Sequence, residues 1–214
     1  MKEPQIPVAR EGYPFIAFIA FATLVSALLE YEFITLVLLF LTGFVFYFFR
    51  DPERIVPDSE DGVVSPADGK VILVEKIFDD RFVNEHVYKI SIFMSIFDVH
   101  VNRLPFTGEV EKIQYAPGSF YAANTDQGSI ANEHCAVILS TAKNFRYAVV
   151  QVAGLVARRI VCWAEKGDTI ERGSRFGLIR FGSRVDIYLP QQMQLEVRSG
   201  QRVRAGETVI GYIP

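Results

Sequence analysis

Two long apolar segments near the start of the chain constrain its fold more than any other feature. Residues 13–29 and 33–49 contain no charged residue, and only Glu30, Tyr31 and Glu32 separate them. Each segment is close to the shortest helix that spans a bilayer, about 17 residues. The alternative, that both are buried core helices, requires more apolar interior than a domain of this size offers. The segments therefore predict a helical hairpin in a membrane.

The charges around this hairpin predict its orientation. The predicted turn carries two acidic residues, whereas basic residues flank the outer ends of the segments: Lys2, Arg10, Arg50 and Arg54. The positive-inside rule then places both termini in the cytoplasm. A cleavable signal peptide fits poorly, because Lys2 is far from the first segment and no small-residue cleavage site precedes the second. We therefore expect a protein of the cell membrane whose remaining domain lies on the cytoplasmic side.

After residue 50 the pattern changes to short β-strands. Segments such as 87–97, 135–141 and 145–154 alternate or are rich in β-branched residues, and Gly, Pro, Asn and Asp separate them. This pattern is typical of an all-β domain. The sequence therefore predicts two domains, a membrane hairpin over residues 1–49 and a mainly β domain over residues 50–214.

A weak internal repeat refines the prediction for the β domain. Residues 166–179 resemble residues 199–213, and three pairs of glycines are in step: Gly167 with Gly200, Gly173 with Gly206, and Gly177 with Gly211. Such glycine-bounded hairpins resemble the half-motifs of lipoyl- and biotinyl-type barrel sandwiches. We therefore expect a barrel-sandwich-like domain of two similar halves, with Gly182 and Ser183 at their junction.

The composition excludes two classes of function. The net charge of −3 lacks the strongly basic balance of a nucleic-acid-binding domain. Cys135 and Cys162 form neither a CxxC pair nor a disulfide framework, and His86 and His134 lack the spacing of metal ligands. We therefore expect no nucleic-acid partner and no metal site.

The segment LIRFGSRVDIYLP, residues 178–190, reads as a strand interrupted by Gly182 and Ser183 between Arg180 and Arg184. An isolated glycine inside a strand often marks a β-bulge. The same pair also offers a hydroxyl nucleophile beside a peptide without a Cβ. From these residues alone, a bulge and a reactive site both stay open.

Two further segments carry polar groups that are suited to catalysis. In FMSIFDVHVNRLP, residues 93–105, an extended chain places Asp98, His100 and Asn102 on one face, although a solvated strand face gives the same pattern. In SPADG, residues 65–69, Asp68 lies in a turn signature that can equally be only a turn.

Taken together, five motifs resemble those of the phosphatidylserine decarboxylases, in their short prokaryotic form. They are, in chain order, FFRDPER, VVSPADGKV, FDVHVNR, YAPGSFYAAN and RFGSRVDIYLP, and the resemblance extends from near residue 45 to the C-terminus. It implies a carboxy-lyase that converts phosphatidylserine to phosphatidylethanolamine and CO2. A phospholipid substrate also agrees with the predicted membrane hairpin.

The resemblance further implies a self-processing proenzyme cut between Gly182 and Ser183. Attack of the Ser183 hydroxyl on the Gly182 carbonyl gives an ester, β-elimination leaves dehydroalanine, and hydrolysis leaves a covalent pyruvoyl group. This cofactor forms a Schiff base with the substrate amine and accepts the electrons left by CO2. The mature protein is then a heterodimer of its own two fragments, and further homo-oligomerisation stays open.

The resemblance also implies roles for individual residues. Ser183, His100 and Asp68 are the implied catalytic residues, and the implied substrate-binding residues are Arg180, Arg184 and Asn102. Long-form relatives carry a second histidine where this chain has Arg103. Because arginine does not accept a proton near pH 7, either His100 serves as the base for self-cleavage or another group does.

Three other functions stay open on the sequence alone. The protein could be a membrane-anchored binding protein in which Gly182 is only a bulge, and it would then remain one intact chain. A serine hydrolase could use Ser183, His100 and Asp68, although the G-x-S-x-G elbow is missing. A pyruvoyl enzyme acting on a free amino acid would not require the hairpin.

Overall fold

The computed structural model describes residues 7–119, 121, 132–154, 159–180 and 183–214. Lys2 and Gly182, both used in the sequence analysis, lie outside these ranges. The chain divides into two compact units, with the boundary between Glu53 and Arg54.

The N-terminal unit is a pair of apolar helices. After a short 3-10 helix at Arg10–Gly12, helix α1 spans Tyr13–Leu28 and helix α2 spans Glu32–Phe48. The predicted hairpin is therefore confirmed, with each helix ending one residue before the predicted segment. Glu30 forms the turn in the left-handed region, at φ 60°. Hydrogen bonds between hydroxyl groups link the helices. The Oγ1 atoms of Thr23 and Thr42 lie 3.1 Å apart, and the Thr35 hydroxyl donates to the Ser26 Oγ at 3.0 Å.

Large apolar side chains cover the outside of this helical pair. Phe18 is 73% exposed, and Phe33 and Phe40 are each 79% exposed. By length and composition, the helical stretch Arg10–Leu28 is long enough to cross a membrane, and Glu32–Phe48 is apolar but shorter.

The second unit is built from β-strands. Its first seven strands are β1 Gly62–Val64, β2 Gly69–Asp79, β3 Glu85–Met94, β4 Val101–Arg103, β5 Gly108–Ala116, β6 His134–Ser140 and β7 Arg146–Ala153. The other seven are β8 Ile160–Cys162, β9 Thr169–Ile170, β10 Arg175–Ile179, β11 Ser183–Pro190, β12 Gln194–Leu195, β13 Arg202–Val203 and β14 Val209–Tyr212. The prediction of a mainly β domain is confirmed.

These strands repeat one seven-strand pattern twice. An eight-stranded antiparallel sheet has the order β13-β2-β3-β11-β7-β6-β5-β9, and two three-stranded sheets have the orders β1-β14-β12 and β4-β10-β8. Strands β4 to β10 form one half. Strands β1 to β3, followed by β11 to β14, form the other half, and corresponding strands of the two halves have the same neighbours. The halves join where β11 pairs with β7. The half formed by β4 to β10 is thus inserted into the other half, between β3 and β11.

The repeated glycines occupy equivalent turns in the two halves. Gly167 and Gly200 both have φ +92°, and Gly173 and Gly206 have φ +78° and +74°. These angles lie in the left-handed region, which glycine adopts without a steric penalty. The two similar halves predicted from the sequence are therefore present. The chain crosses between them twice, after Met94 and between Ile179 and Ser183.

Alternation along β11 gives the large sheet two different faces. The side chains of Val185, Ile187 and Leu189 are fully buried in the main core. Tyr188 belongs to a second apolar cluster, together with Phe82 and residues of β6 and β7. Because successive side chains of a strand point to opposite faces, Ser183 faces the main core and Arg184 faces the second cluster.

Candidate functional site

Ser183 lies at a crossing between the two halves. It is the first residue of β11 and pairs with Met94 on β3 and with Ala153 on β7. Its side chain is fully buried, and its Oγ has no hydrogen-bond partner among the described residues. Buried hydroxyl groups are normally hydrogen-bonded. An unsatisfied hydroxyl at this position is therefore a candidate reactive group.

His100 lies in the other crossing, between β3 and β4. Its side chain is fully buried, and its backbone oxygen accepts a hydrogen bond from Ile179. The Nδ1 atom lies 3.0 Å from the carbonyl oxygen of Asp98. Because a carbonyl oxygen only accepts, Nδ1 carries the proton of a neutral imidazole and Nε2 carries the lone pair. His100 thus offers Nε2 as a proton acceptor.

The predicted polar face of the 93–105 segment is only partly present. Asp98 lies in a turn rather than on a strand, and its carboxylate accepts hydrogen bonds from the backbone N–H and hydroxyl of Ser95. Strand β4 begins three residues later. His100 and Asn102 are fully buried, as are Val99 and Val101 to within a few per cent, so residues 99–102 have no solvated face.

Asn102 belongs to a buried pair of side-chain amides, and it also contacts Met94, the strand neighbour of Ser183. Its Oδ1 accepts a 2.9 Å hydrogen bond from Gln151 on β7, and its Nδ2 donates to the sulfur of Met94 at 3.6 Å. Met94 is the strand neighbour of Ser183. Gln151 was not among the predicted site residues, although it is a polar residue inside the apolar run YAVVQVA.

Asp68 is placed at the same end of the sheet but has other partners. Its Oδ2 accepts a 2.8 Å hydrogen bond from Arg54, and its Oδ1 accepts one of 2.7 Å from the backbone of Ala205. Arg54 also pairs with Glu207 at 3.2 Å. Both oxygens of Asp68 therefore have partners within this ion-pair cluster, and its catalytic role stays a prediction.

The two arginines that flank Gly182 have different surroundings. Arg184 is buried and forms a 2.7 Å ion pair with Asp186, on the face of β11 opposite to Ser183. Arg180 is half-buried, and its backbone N–H donates to the oxygen of Arg159. Arg184 is thus directed away from the serine. The substrate-binding roles of Arg180, Arg184 and Asn102 stay predictions.

Glu133, which was not predicted from the sequence, hydrogen-bonds through its backbone to the strand next to Ser183. The backbone oxygen of Glu133 accepts from Ala153, which pairs with Ser183 on the next strand. The Glu133 side chain is nearly buried, and its hydrogen bond to the Tyr115 hydroxyl raises the pKa of Tyr115 to about 12. The Tyr115 hydroxyl therefore stays protonated at neutral pH.

Two thiols lie next to each other on β6 and β8. A hydrogen bond between Cys135 and Cys162 raises the pKa of Cys135 and lowers the pKa of Cys162. The thiolate is the form that reacts with alkylating agents. We therefore expect iodoacetamide to modify Cys162 in the native protein, with a rate that rises with pH through a midpoint below the ordinary thiol pKa of about 8.5.

This expectation is tested by peptide mapping after alkylation over a range of pH. Cys162→Ser should abolish the fast modification, and Cys135 should react only after unfolding. A midpoint near pH 9, or modification of Cys135 first, would contradict the assigned hydrogen bond.

Comparisons with known proteins agree on one family. The family model described as phosphatidylserine decarboxylase matches residues 41–211. A phosphatidylserine decarboxylase proenzyme of Desulfotalea psychrophila is 57% identical over 213 residues, covering all of both chains. Proenzymes of the same name from Geotalea uraniireducens and Syntrophotalea carbinolica are 47% and 48% identical, again over the whole of both chains.

Proposed function

Because this chain belongs to the phosphatidylserine decarboxylase family and is therefore a carboxy-lyase, we propose that it cuts itself between Gly182 and Ser183. The cut converts Ser183 into the pyruvoyl group that decarboxylates phosphatidylserine to phosphatidylethanolamine. The observation that carries this proposal is the buried Ser183 Oγ, which lacks a hydrogen-bond partner among the described residues. A serine that served only for packing would be unfavourable at this position, because an unsatisfied buried hydroxyl is destabilising.

The proposed self-cleavage balances without any added reagent except water. The Ser183 Oγ bonds to the Gly182 carbonyl carbon as the peptide C–N bond breaks, and the serine nitrogen gains the proton of the hydroxyl. Elimination then removes the Cα proton and expels residues 1–182 as a carboxylate, which leaves dehydroalanine. Water converts this group into a pyruvoyl group and ammonia. The base acts first on the Ser183 hydroxyl and then on its Cα proton.

We assign the proton transfers to His100. The hydrogen bond to the Asp98 carbonyl fixes the ring and leaves Nε2 as the basic nitrogen. Arg103 is unsuited to this role, because a guanidinium does not accept a proton, and its Nη1 donates to the Gly173 oxygen at 2.9 Å. During decarboxylation, the same imidazole in its protonated form can return a proton to the substrate carbon.

A pyruvoyl group supplies an electrophilic carbonyl for the substrate amine and accepts the electron pair that CO2 leaves behind. Around the position of Ser183, the fully buried side chains of Met94, Asn102 and Gln151 exclude water and fix the strand ends. Positively charged Arg180, which is half-buried, is the better placed of the two flanking arginines to bind the anionic headgroup.

The two proposed fragments are expected to stay together after the cut. Residues 183–214 contribute β11, which pairs with β3 from Ser183 to Pro190 and with β7 from Ser183 to Tyr188. Strands β13 and β14 pair with β2 and β1 of the larger fragment. The small fragment is thus a central part of the sheet, which supports a non-covalent heterodimer as the mature form.

We also propose that residues 1–49 anchor the protein in the membrane, with residues 50–214 as the catalytic domain on the cytoplasmic side. The support is the exposed apolar surface of α1 and α2, since contiguous exposed apolar residues are rare on soluble proteins. Basic Arg10 and Arg50 flank the outer ends of the hairpin, whereas acidic Glu30 and Glu32 lie at its turn.

Deletion of residues 1–49 should move the protein from the membrane fraction to the soluble fraction while self-cleavage continues. The reason is that the β unit carries its own core and both crossings between its halves. Fractionation in high salt, followed by intact-mass analysis, measures both effects. A truncated protein that still sediments with membranes in high salt would refute the anchoring role.

The decarboxylase activity is tested by release of labelled CO2 from carboxyl-labelled phosphatidylserine in detergent micelles. Free serine, offered at the same concentration, should release none, because the proposed substrate is a lipid. Release from serine but not from phosphatidylserine would assign the enzyme to an amino acid instead.

A further inference from the structure

We propose that the turn at residues 95–98 is a second membrane contact, which inserts Ile96 and Phe97 into the bilayer interface beside the reactive site. This inference rests on the proposed function and deepens it, because it names the surface through which the site reaches a headgroup held in a bilayer. The apolar tip formed by Ile96 and Phe97 is called the rim tip below.

The rim tip lies along the chain between Met94, the strand neighbour of Ser183, and His100. Met94, the last residue of β3, pairs with Ser183, and Ser95 follows it. His100 lies two residues beyond Asp98, the last residue of the turn. A lipid headgroup that reaches Ser183 past this crossing must therefore pass close to the rim tip.

Exposure changes sharply along this short stretch. Ile96 is 41% exposed and Phe97 is 61% exposed, whereas Met94 and His100 are fully buried. An interior-facing crossing would bury these apolar side chains with its neighbours. The chain instead directs an isoleucine and a phenylalanine outward, a few residues from the buried Met94 and His100.

Hydrogen bonds hold the turn in this shape. Asp98 Oδ2 accepts from the Ser95 backbone at 2.8 Å and from its hydroxyl at 2.7 Å, and the Asp98 N–H donates to the Ser95 oxygen at 3.0 Å. A preformed turn loses little conformational freedom when it inserts, so more of the gain from apolar burial is retained.

Two exposed basic side chains lie near the rim tip, one of them paired with Asp98 of the turn itself. Arg202 is 76% exposed at its side chain and lies 3.4 Å from Asp98. On the neighbouring strand, exposed Lys70 pairs with Arg202. Cationic side chains beside an apolar tip favour a surface that contains anionic lipid, and phosphatidylserine is itself anionic.

These features favour a bilayer over a protein as the occupant. A stable protein–protein interface buries about 800 Å² on each partner, which is far more than two side chains supply. A membrane interface requires only that apolar side chains enter it while the cations stay among the headgroups.

Tryptophan fluorescence tests the contact directly on the full chain in vesicles that contain phosphatidylserine. Trp163 is the only tryptophan. The substitution Trp163→Phe therefore removes the native tryptophan fluorescence, so that emission from a Phe97→Trp variant comes only from position 97. We expect emission from position 97 to be quenched by lipids brominated on their acyl chains. The matched control is Phe78→Trp, because Phe78 is 55% exposed at the other end of β2, roughly 26 Å from Lys70.

Quenching at position 97 but not at position 78 supports the contact, whereas no quenching at 97, or equal quenching at both, overturns it. This readout does not depend on activity. If the wild-type protein released no CO2 from phosphatidylserine, the proposed function would fail while the quenching result would stand.

Activity provides the second measurement. The double variant Ile96→Ser with Phe97→Ser should process itself normally and lose about tenfold in kcat/KM on vesicles, since apolar burial at the interface is removed. Phe78→Ser should match the wild type. An unchanged kcat/KM in the double variant, or an equal loss in Phe78→Ser, would overturn the proposal.

Discussion

Ser183→Ala is expected to yield one uncut chain of 24.2 kDa with no detectable decarboxylation of phosphatidylserine. Alanine has no oxygen to accept the acyl group of Gly182, and without the cut no pyruvoyl group forms. Intact-mass analysis should show residues 1–182 and 183–214 for the wild type only. The small fragment should resist Edman degradation, because its N-terminus carries no amine.

Ser91→Ala is the matched control for this substitution. Ser91 is also fully buried, lies on the neighbouring strand β3, and has a hydroxyl without a hydrogen-bond partner among the described residues. This variant should be cut and active. A cut Ser183→Ala chain, or a free serine amine on the small fragment, would exclude a pyruvoyl group derived from Ser183.

His100→Ala should slow self-cleavage, and the molecules that are cut should decarboxylate phosphatidylserine about 100-fold more slowly, a typical loss for a general acid–base group. The expectation follows from the fixed ring, whose Nε2 is the proton acceptor in the proenzyme and the proton donor, once charged, during decarboxylation. Processing is followed by gel electrophoresis over time.

The decisive quantity is the rate per pyruvoyl group. The number of groups is measured by trapping them with a labelled amine and borohydride, and CO2 release is divided by that number. His86→Ala is the matched control, because His86 is exposed and contacts only the ring of Phe78 among the described aromatic residues. Normal processing together with a normal rate per group in His100→Ala would remove His100 from both reactions.

The features that could be predicted from the sequence are those with a local periodic signal. The hairpin follows from uninterrupted apolar segments, and its helices end within one residue of the prediction. The two similar halves follow from glycines such as Gly173 and Gly206, because each turn requires a left-handed residue and the requirement recurs.

The surroundings of the site residues could not be predicted in the same way, because they depend on strands that are distant in sequence. Asp98 was expected on a strand face, but it lies in a turn, where its carboxylate accepts a hydrogen bond from the backbone of Ser95. Arg184 and Asp186 lie two residues apart on β11, but that their face packs on the second cluster depends on residues of β6 and β7. Gln151 reaches Asn102 across 49 positions of the chain, a contact that no local pattern encodes.

The insertion of one half of the β unit into the other also sets the order of events during biosynthesis. Ser183 pairs with Met94 and Ala153, which come from different halves, so its strand can dock only after a loop of about 90 residues has closed. Loop closure of this kind delays folding because its entropic penalty precedes the contacts that offset it. Chain scission would then occur only after β11, the last central strand, has paired with its neighbours. The fraction of cut chains would therefore measure how much of the newly made protein has completed its native topology.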